Sequence, residues 1–285
     1  MVVQQHRRRG GALALVAVAV AGAVATAGCS VGPDASAEDR SGADAVDAVR
    51  RSADVLTGTG SAKARTSMEM ATGGTRVTIR GEGGFDFRQR IGQLAVMLPK
   101  DPSGKEGHRP ITELLAPGAL YMKNRGAGVP ADKWVRVDTT TLSDGNLVTG
   151  GATDPLAAAE LLRGAQAVTY VGETDLAGAK VRHYRGVTDI ARAARAASPQ
   201  ARGALAAAAK GFSKDTVPFD AYLDEQGRLR KVRHQFSFVS GNGNGKGKGA
   251  GAVAVASTTL LYAFGAPVKV QLPAARDIFA GKIAD

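Results

Sequence analysis

One cysteine, four histidines and a modest set of acids carry the reactive side chains of this 285-residue chain. Cys29 directly follows an apolar leader, a position that does not suit a catalytic nucleophile. His108, His183 and His234 lack the short spacing of zinc ligands, and no Gly-x-Ser-x-Gly motif accompanies them. We expect His183 and His234 to lie on a sheet surface. The sequence therefore predicts a noncatalytic protein with no metal and no cofactor.

Two other groups of charged residues could bind a ligand. Asp220 and Asp224 are four residues apart and would share one face of a strand, although an ordinary hairpin turn explains them better. Lys246 and Lys248 lie in a run of Gly, Asn and Lys that lacks the Gly-Lys-Ser/Thr of a phosphate-binding loop. This run is either a plain surface loop or a loop that contacts anionic headgroups.

The first 28 residues have the pattern of a secretory signal. Arginines at 7–9 precede an uncharged stretch at 12–27, and small residues lead to Cys29. A helix of about 16 residues spans roughly 24 Å, which makes a retained transmembrane helix the weaker alternative. The two adjacent arginines leave the export route open.

A lone cysteine behind small residues is typical of a bacterial lipoprotein signal. Thr26 stands where an aliphatic residue is more common, and the alternative is ordinary cleavage near 25–27. We predict that Cys29 carries lipid such as palmitate, which explains an unpaired cysteine in an exported chain. The protein would then be anchored on the extracytoplasmic face of the cell membrane.

Composition and charge suggest how the rest of the chain is divided. We expect a signal peptide over 1–28, a flexible tether over 29–40 and one domain over 41–285. Losing the leader with its three arginines lowers the formal net charge from +11 to +8. A basic exported protein is attracted to anionic headgroups or to acidic glycans. Nucleic acid is not an expected partner, because aromatic residues do not alternate with the basic ones.

The pattern of apolar residues predicts an α+β fold. Alternation over 62–98 and again over 217–238 indicates antiparallel strands with one buried face. Further strands are expected at 255–262 and 268–272, and a short helix at 274–279. We therefore predict a large curved antiparallel sheet with its helices on one side.

Helix signals are local and clear. Residues 44–56 have apolar side chains three or four apart, and Asp154-Pro155 supplies an N-cap and a first-turn proline. The alanine-rich segment 189–211 is predicted to be helical with a break at Ser198-Pro199.

Three stretches resemble the actinobacterial LppX/LprA/LprF/LprG lipoproteins of the LolA-like superfamily. They are the hairpin at 170–174 and 179–186, the strand pair at 217–224 and 227–231, and a tethered helix before a Thr/Ser-rich strand. The likeness covers about residues 41–275. It implies a half-barrel with helices on its concave face, enclosing an apolar cavity for the acyl chains of a lipid or glycolipid.

A cavity of this kind would be lined by apolar residues of the inner sheet face. Methionine and phenylalanine suit an adaptable acyl pocket, but they equally suit a solid core. The ten candidates for ligand contact are Met68, Met70, Val77, Ile79, Phe85, Phe87, Val96, Phe219, Phe236 and Phe238. Other expected inner-face residues are Leu94, Leu98, Tyr121, Val135, Val137 and Leu223. Two functions remain open: a membrane-anchored lipid carrier or chaperone, and an envelope sensor that binds an exported protein.

Overall fold

The computed structural model describes most of the chain after the leader. Cys29, His108, Lys246 and Lys248 lie outside the described residues, as does the predicted signal peptide. The described residues are 33–72, 75–99, 109–126, 128–148, 153–212, 214–239 and 252–281, without the side chains of 33–41, 72, 75, 238, 239 and 252.

Eleven strands form one open antiparallel sheet, as the alternation predicts. The order across the sheet is β6-β5-β4-β3-β2-β1-β11-β10-β9-β8-β7, so the first and last strands pair at its centre. The strands are β1 Ser61–Thr72, β2 Thr75–Asp86, β3 Ile91–Met97, β4 Ile111–Ala116, β5 Ala119–Lys123, β6 Val135–Asp138, β7 Ala165–Leu176, β8 Ala179–Asp189, β9 Thr216–Leu223, β10 Leu229–Val239 and β11 Ala252–Tyr262.

The sheet curves into a half-barrel, and its two faces differ in chemistry. In β3 the inward positions are buried and the outward positions are exposed, which is the period of two seen in the sequence. Gly83 is required where β2 approaches β3, because a Cβ there would lie 1.9 Å from the carbonyl oxygen of Gln93. A larger residue would push these two strands apart.

Four α-helices lie with the concave face: α1 Pro33–Thr59, α2 Pro155–Leu161, α3 Ile190–Ala196 and α4 Pro199–Gly211. Asp154 caps α2 by accepting from the N–H groups of Leu156 and Ala157. Ser198-Pro199 separates α3 from α4, as predicted. None of the described helices combines the length and apolarity that crossing a bilayer requires.

The segment after β11 crosses the convex face as a strap, which we define as residues 263–281. Ser61 Oγ donates to Ala266 O at 2.7 Å near one end of the strap. At the other end Trp134 N donates to Asp277 O at 2.8 Å, and Phe279 N donates to Trp134 O at 2.8 Å. The strap therefore runs from β1 to the chain just before the edge strand β6.

Some sequence expectations differ from the structure. The predicted strand at 268–272 is wrong, because that segment is part of the strap and pairs with no strand. The predicted helix at 274–279 is only a 3-10 turn, Ala275–Asp277. Strand β4 was not expected. α1 begins at Pro33, within the segment predicted as a tether; the division into tether and domain stays a prediction.

Candidate functional site

Most of the predicted inner-face residues lie in one apolar core between the sheet and the helices. Seven of the ten candidates are buried, and Met70 and Val77 are half-buried at its margin. The side chain of Phe238 lies outside the described residues. Leu98 and Tyr121 were wrongly expected to face inward: Leu98 is 37% exposed, and Tyr121 faces outward beneath Arg136. Whether the core residues contact a ligand stays a prediction.

An apolar slot opens beside this core, between the β4–β5 turn and helices α2 and α4. Its volume is about 60 Å³. Phe85, Leu115, Leu156 and Leu205 form apolar walls, and Ala201 lies on the α4 side. Among the ten candidates only Phe85 borders the slot, so most of the predicted set is packed core in this conformation. The slot is far smaller than the several hundred Å³ of ordinary ligand pockets.

Helix α4 covers the slot with little buried surface of its own. Only Leu205 and Ala208 are buried among its thirteen residues. After its last turn, Phe212 stacks on Phe236 with ring centroids 5.1 Å apart. An aromatic pair holds the C-terminal end of α4, and mostly small side chains pack under the rest of the helix. Helix α4 therefore covers the slot with few large side chains in contact.

Close backbone contacts hold the cover against the loop that follows β6. A Cβ at Gly211 would lie 1.8 Å from the carbonyl oxygen of Ser143, and one at Gly145 would lie 2.1 Å from that of Ala204. Gly145 also has a φ of +58°, a conformation that favours glycine. Alanines and glycines thus let the loop and helix touch without large interlocking side chains.

A buried ion network lies beside the slot. Glu160 has no exposed surface and accepts from Arg163 Nε at 2.7 Å, while Arg90 approaches it at 3.6 Å. Arg163 also binds Asp54 of α1 at 2.6 Å, and this hydrogen bond raises the pKa of Arg163. The network ties α1 and α2 to the β2–β3 turn and fixes one wall of the slot.

Polar atoms border the slot where it meets this network. Asp154 and Asn146 line it, and burial raises the pKa of Asp154 to about 6. Asn146 Oδ1 is buried and has no hydrogen-bond partner among the described residues. The slot is therefore mainly apolar, and its polar lining residues are Arg90, Thr139, Asn146, Asp154 and Gln200.

Two titratable side chains are buried deeper in the inner face. Glu113 of β4 has both carboxylate oxygens buried without a partner among the described residues, and burial raises its pKa to about 8. His234 of β10 is 1% exposed, and burial lowers its pKa to about 3. The expectation that His234 lies on the sheet surface is therefore wrong.

The convex face holds His183 and the side chains that contact it. His183 Nε2 lies 2.7 Å from Asp220 Oδ1, which also accepts from Arg185 Nε at 3.0 Å. Asp224 does not join them, because it is buried at the β9–β10 turn and accepts from Arg228. This favours turn chemistry for Asp224. In the part of the chain that the structure describes, no cluster of three His, Cys, Asp or Glu could hold a metal ion.

The fold and slot define an α+β half-barrel with an apolar interior. Similar solved structures include the lipoprotein LppX from Mycobacterium tuberculosis, at 11% identity and a TM-score of 0.47 over 80% of this chain and 99% of that one. LprF from Mycobacterium bovis is similar at 14% identity and a TM-score of 0.42, over 82% of this chain and 98% of that one. A LolA superfamily protein from Nitrosomonas europaea is similar at 10% identity and a TM-score of 0.30, over 76% of this chain and 93% of that one.

These are the lipoproteins and the superfamily that the sequence motifs resemble. No family model and no curated protein matches the chain. At such identities and scores the likeness is one of fold, so a functional argument must use this chain's own residues.

Proposed function

We propose that this protein is an exported, noncatalytic carrier or chaperone that holds an acyl chain of a lipid or glycolipid inside its half-barrel. The observation that carries the proposal is the apolar slot, which opens at the surface and shares Phe85 with the buried inner face. A hydrocarbon chain needs apolar contact and no reactive group, which matches this lining.

The slot must widen before it can hold a whole acyl chain. Lifting α4 exposes chiefly Leu205, at a cost of about 2–3 kcal/mol. Each methylene of the ligand that leaves water contributes about 0.8 kcal/mol of favourable free energy, so three or four buried methylenes offset the cost of lifting α4. A longer chain then binds with a net gain. Packing of small side chains under α4 makes this opening inexpensive.

Lipid on Cys29 would place this domain next to its ligands. The cysteine is four residues before α1 in the sequence. Labelled palmitate should appear on the wild-type chain expressed in an actinobacterial host, and Cys29→Ala should remove the label. Equal labelling of both chains would refute the anchor without touching the carrier proposal.

Native mass spectrometry after gentle extraction tests the carrier. The wild-type protein should retain co-purified lipid, and Ala201→Phe should reduce it at least tenfold by filling the slot. Ala207→Phe is the matched control, because Ala207 lies on the same helix and borders neither the slot nor the core. A lipid-free wild type that takes up none on incubation contradicts the proposal.

The second candidate function is an envelope sensor that binds an exported protein. The small volume of the slot favours it, because a filled core gives a rigid surface and leaves no room for cargo. The same experiment separates the two: an unliganded protein whose stability does not change with added lipid supports the sensor.

A further inference from the structure

The convex face carries a basic groove that the carrier proposal does not use. We define the basic groove by its walls Arg76 on β2 and Arg233 on β10 and by its floor Ala71, Ala254 and Ala256. It has a volume of about 200 Å³. Ala71 pairs with both Arg76 and Ala254 in the sheet register. The floor is therefore flat and small, and long cationic side chains stand on either side.

A row of polar side chains continues the groove across four strands. Arg80 pairs with Ser67, Ser67 with Thr258, and Thr258 with Arg233. Neighbouring strands are about 4.8 Å apart, so the two arginines begin roughly 14 Å from each other with two hydroxyl groups between them. Guanidinium groups flanking hydroxyl donors are the chemistry that binds phosphate oxygens.

Arg76, Arg80 and Arg233 make no ion pair within the described part of the chain, whereas Arg65 in the row next to Arg80 is paired with Glu82 at 3.0 Å. Asp220 pairs with Arg233 in the sheet register, but its carboxylate is held by His183 and Arg185. Glu69 is the one acid on the groove lining. The groove therefore keeps a net positive charge.

Exposed apolar side chains lie next to the cations. Met97 pairs with Arg80 at the end of β3 and is 49% exposed, and Leu98 after it is 37% exposed. Apolar side chains beside unneutralised arginines suit the boundary between headgroups and acyl chains, where each group finds its preferred surroundings.

From this juxtaposition we propose that the basic groove and the Met97–Leu98 rim dock on an anionic phospholipid bilayer. The choice of a membrane as the occupant rests on the proposed lipid anchor, which would hold the domain beside one. Docking on this surface leaves the slot and α4 uncovered, because the groove is on the convex face and the slot lies on the helix side.

Vesicle co-sedimentation of the chain from residue 29 onward, without the apolar leader and carrying Cys29→Ser, tests the docking without help from the anchor. Binding should require phosphatidylglycerol in phosphatidylcholine vesicles. Each arginine near such a surface contributes about fivefold, so Arg76→Gln/Arg233→Gln should weaken binding about 25-fold. Met97→Ser should weaken it about fivefold through lost apolar contact.

The matched control Arg88→Gln/Arg195→Gln removes two exposed cations from the β2–β3 turn and from helix α3, away from the convex face. It should change binding less than twofold. An equal loss in the control, or equal binding to neutral vesicles, overturns the proposal. The groove variants should keep their co-purified lipid in native mass spectra, so failure of docking and failure of the carrier function are distinguishable.

Discussion

Glu113 offers the sharpest test of how the inner face is built. Its carboxyl group lies on the concave side of β4 between Leu94 of β3 and Met122 of β5. Burial raises its pKa from 4.5 to about 8, so the folded protein keeps it protonated at neutral pH while the unfolded chain ionises it. Unfolding therefore releases a proton, and rising pH favours unfolding.

The size of this effect follows from the shift. Each pH unit between the two pKa values costs the folded state about 1.4 kcal/mol, which amounts to about 3 kcal/mol at pH 7. Asp154 and His234 titrate below this range, with pKa values of about 6 and about 3. Between pH 6.5 and 8 the wild type should lose about 1.4 kcal/mol of unfolding free energy per pH unit.

Urea unfolding at several pH values measures this slope directly. Glu113→Gln should flatten it, because the amide does not ionise. Glu173→Gln removes an exposed carboxylate of β7 and should keep the wild-type slope. Parallel profiles for the wild type and Glu113→Gln would refute the reasoning, since they would mean that the buried carboxyl group does not change its protonation on unfolding.

Three further substitutions test the packing around the slot by the same urea titration. Arg163→Met should lower the unfolding free energy by about 3–5 kcal/mol, because it removes the closest cation from buried Glu160; a loss under 1 kcal/mol would contradict this. Gly211→Ala should cost about 1–3 kcal/mol through its clash with a carbonyl oxygen, whereas Gly42→Ala, which has open space in α1, should stabilise by up to about 1 kcal/mol. As pH falls below 6.5 the wild type should lose about 1.4 kcal/mol per unit relative to His234→Gln, because His234 stays neutral when folded, while Glu113 and Asp154 contribute equally to both proteins.

Local signals in the sequence predicted elements whose ends are set by single residues. Asp154-Pro155 opens α2 because the carboxylate caps free N–H groups and proline needs no partner there. Ser198-Pro199 separates α3 from α4 because Pro199 has no backbone N–H to continue α3, and at the first turn of α4 that N–H is not needed. Alternation along β1, β2 and β9 predicted the buried face because these strands have one face against the core.

Strand β4 escaped prediction because its apolar residues do not alternate. Leu114 points outward, yet it is only 1% exposed, on the face that the strap crosses. Both faces of β4 are therefore buried, and Glu113 interrupts the apolar run. The apolar residues at 268–272 predicted a strand where the strap lies, since no local pattern shows that a segment will cross a sheet rather than join it.

The slot was harder to predict than the core. Phe85 was expected to line a cavity, but the opposite wall comes from alanines of α4 and the β4–β5 turn, which carry no distinctive signal. Its shape depends on contacts between segments far apart in sequence. An acid within an apolar run, as at Glu113, was the one sequence signal of a buried polar group that could have been used.

The pairing of β1 with β11 sets the order in which this molecule can fold. Lys63 pairs with Tyr262, so the central ladder joins segments about 200 residues apart, and such closure is slow. Two meanders, β1–β6 and β7–β11, can each form from neighbouring hairpins, but they join only when β11 pairs with β1. A chaperone or protease that meets the chain before that step would encounter two half-sheets with unpaired central edges, and shortening the chain before β11 should leave them apart.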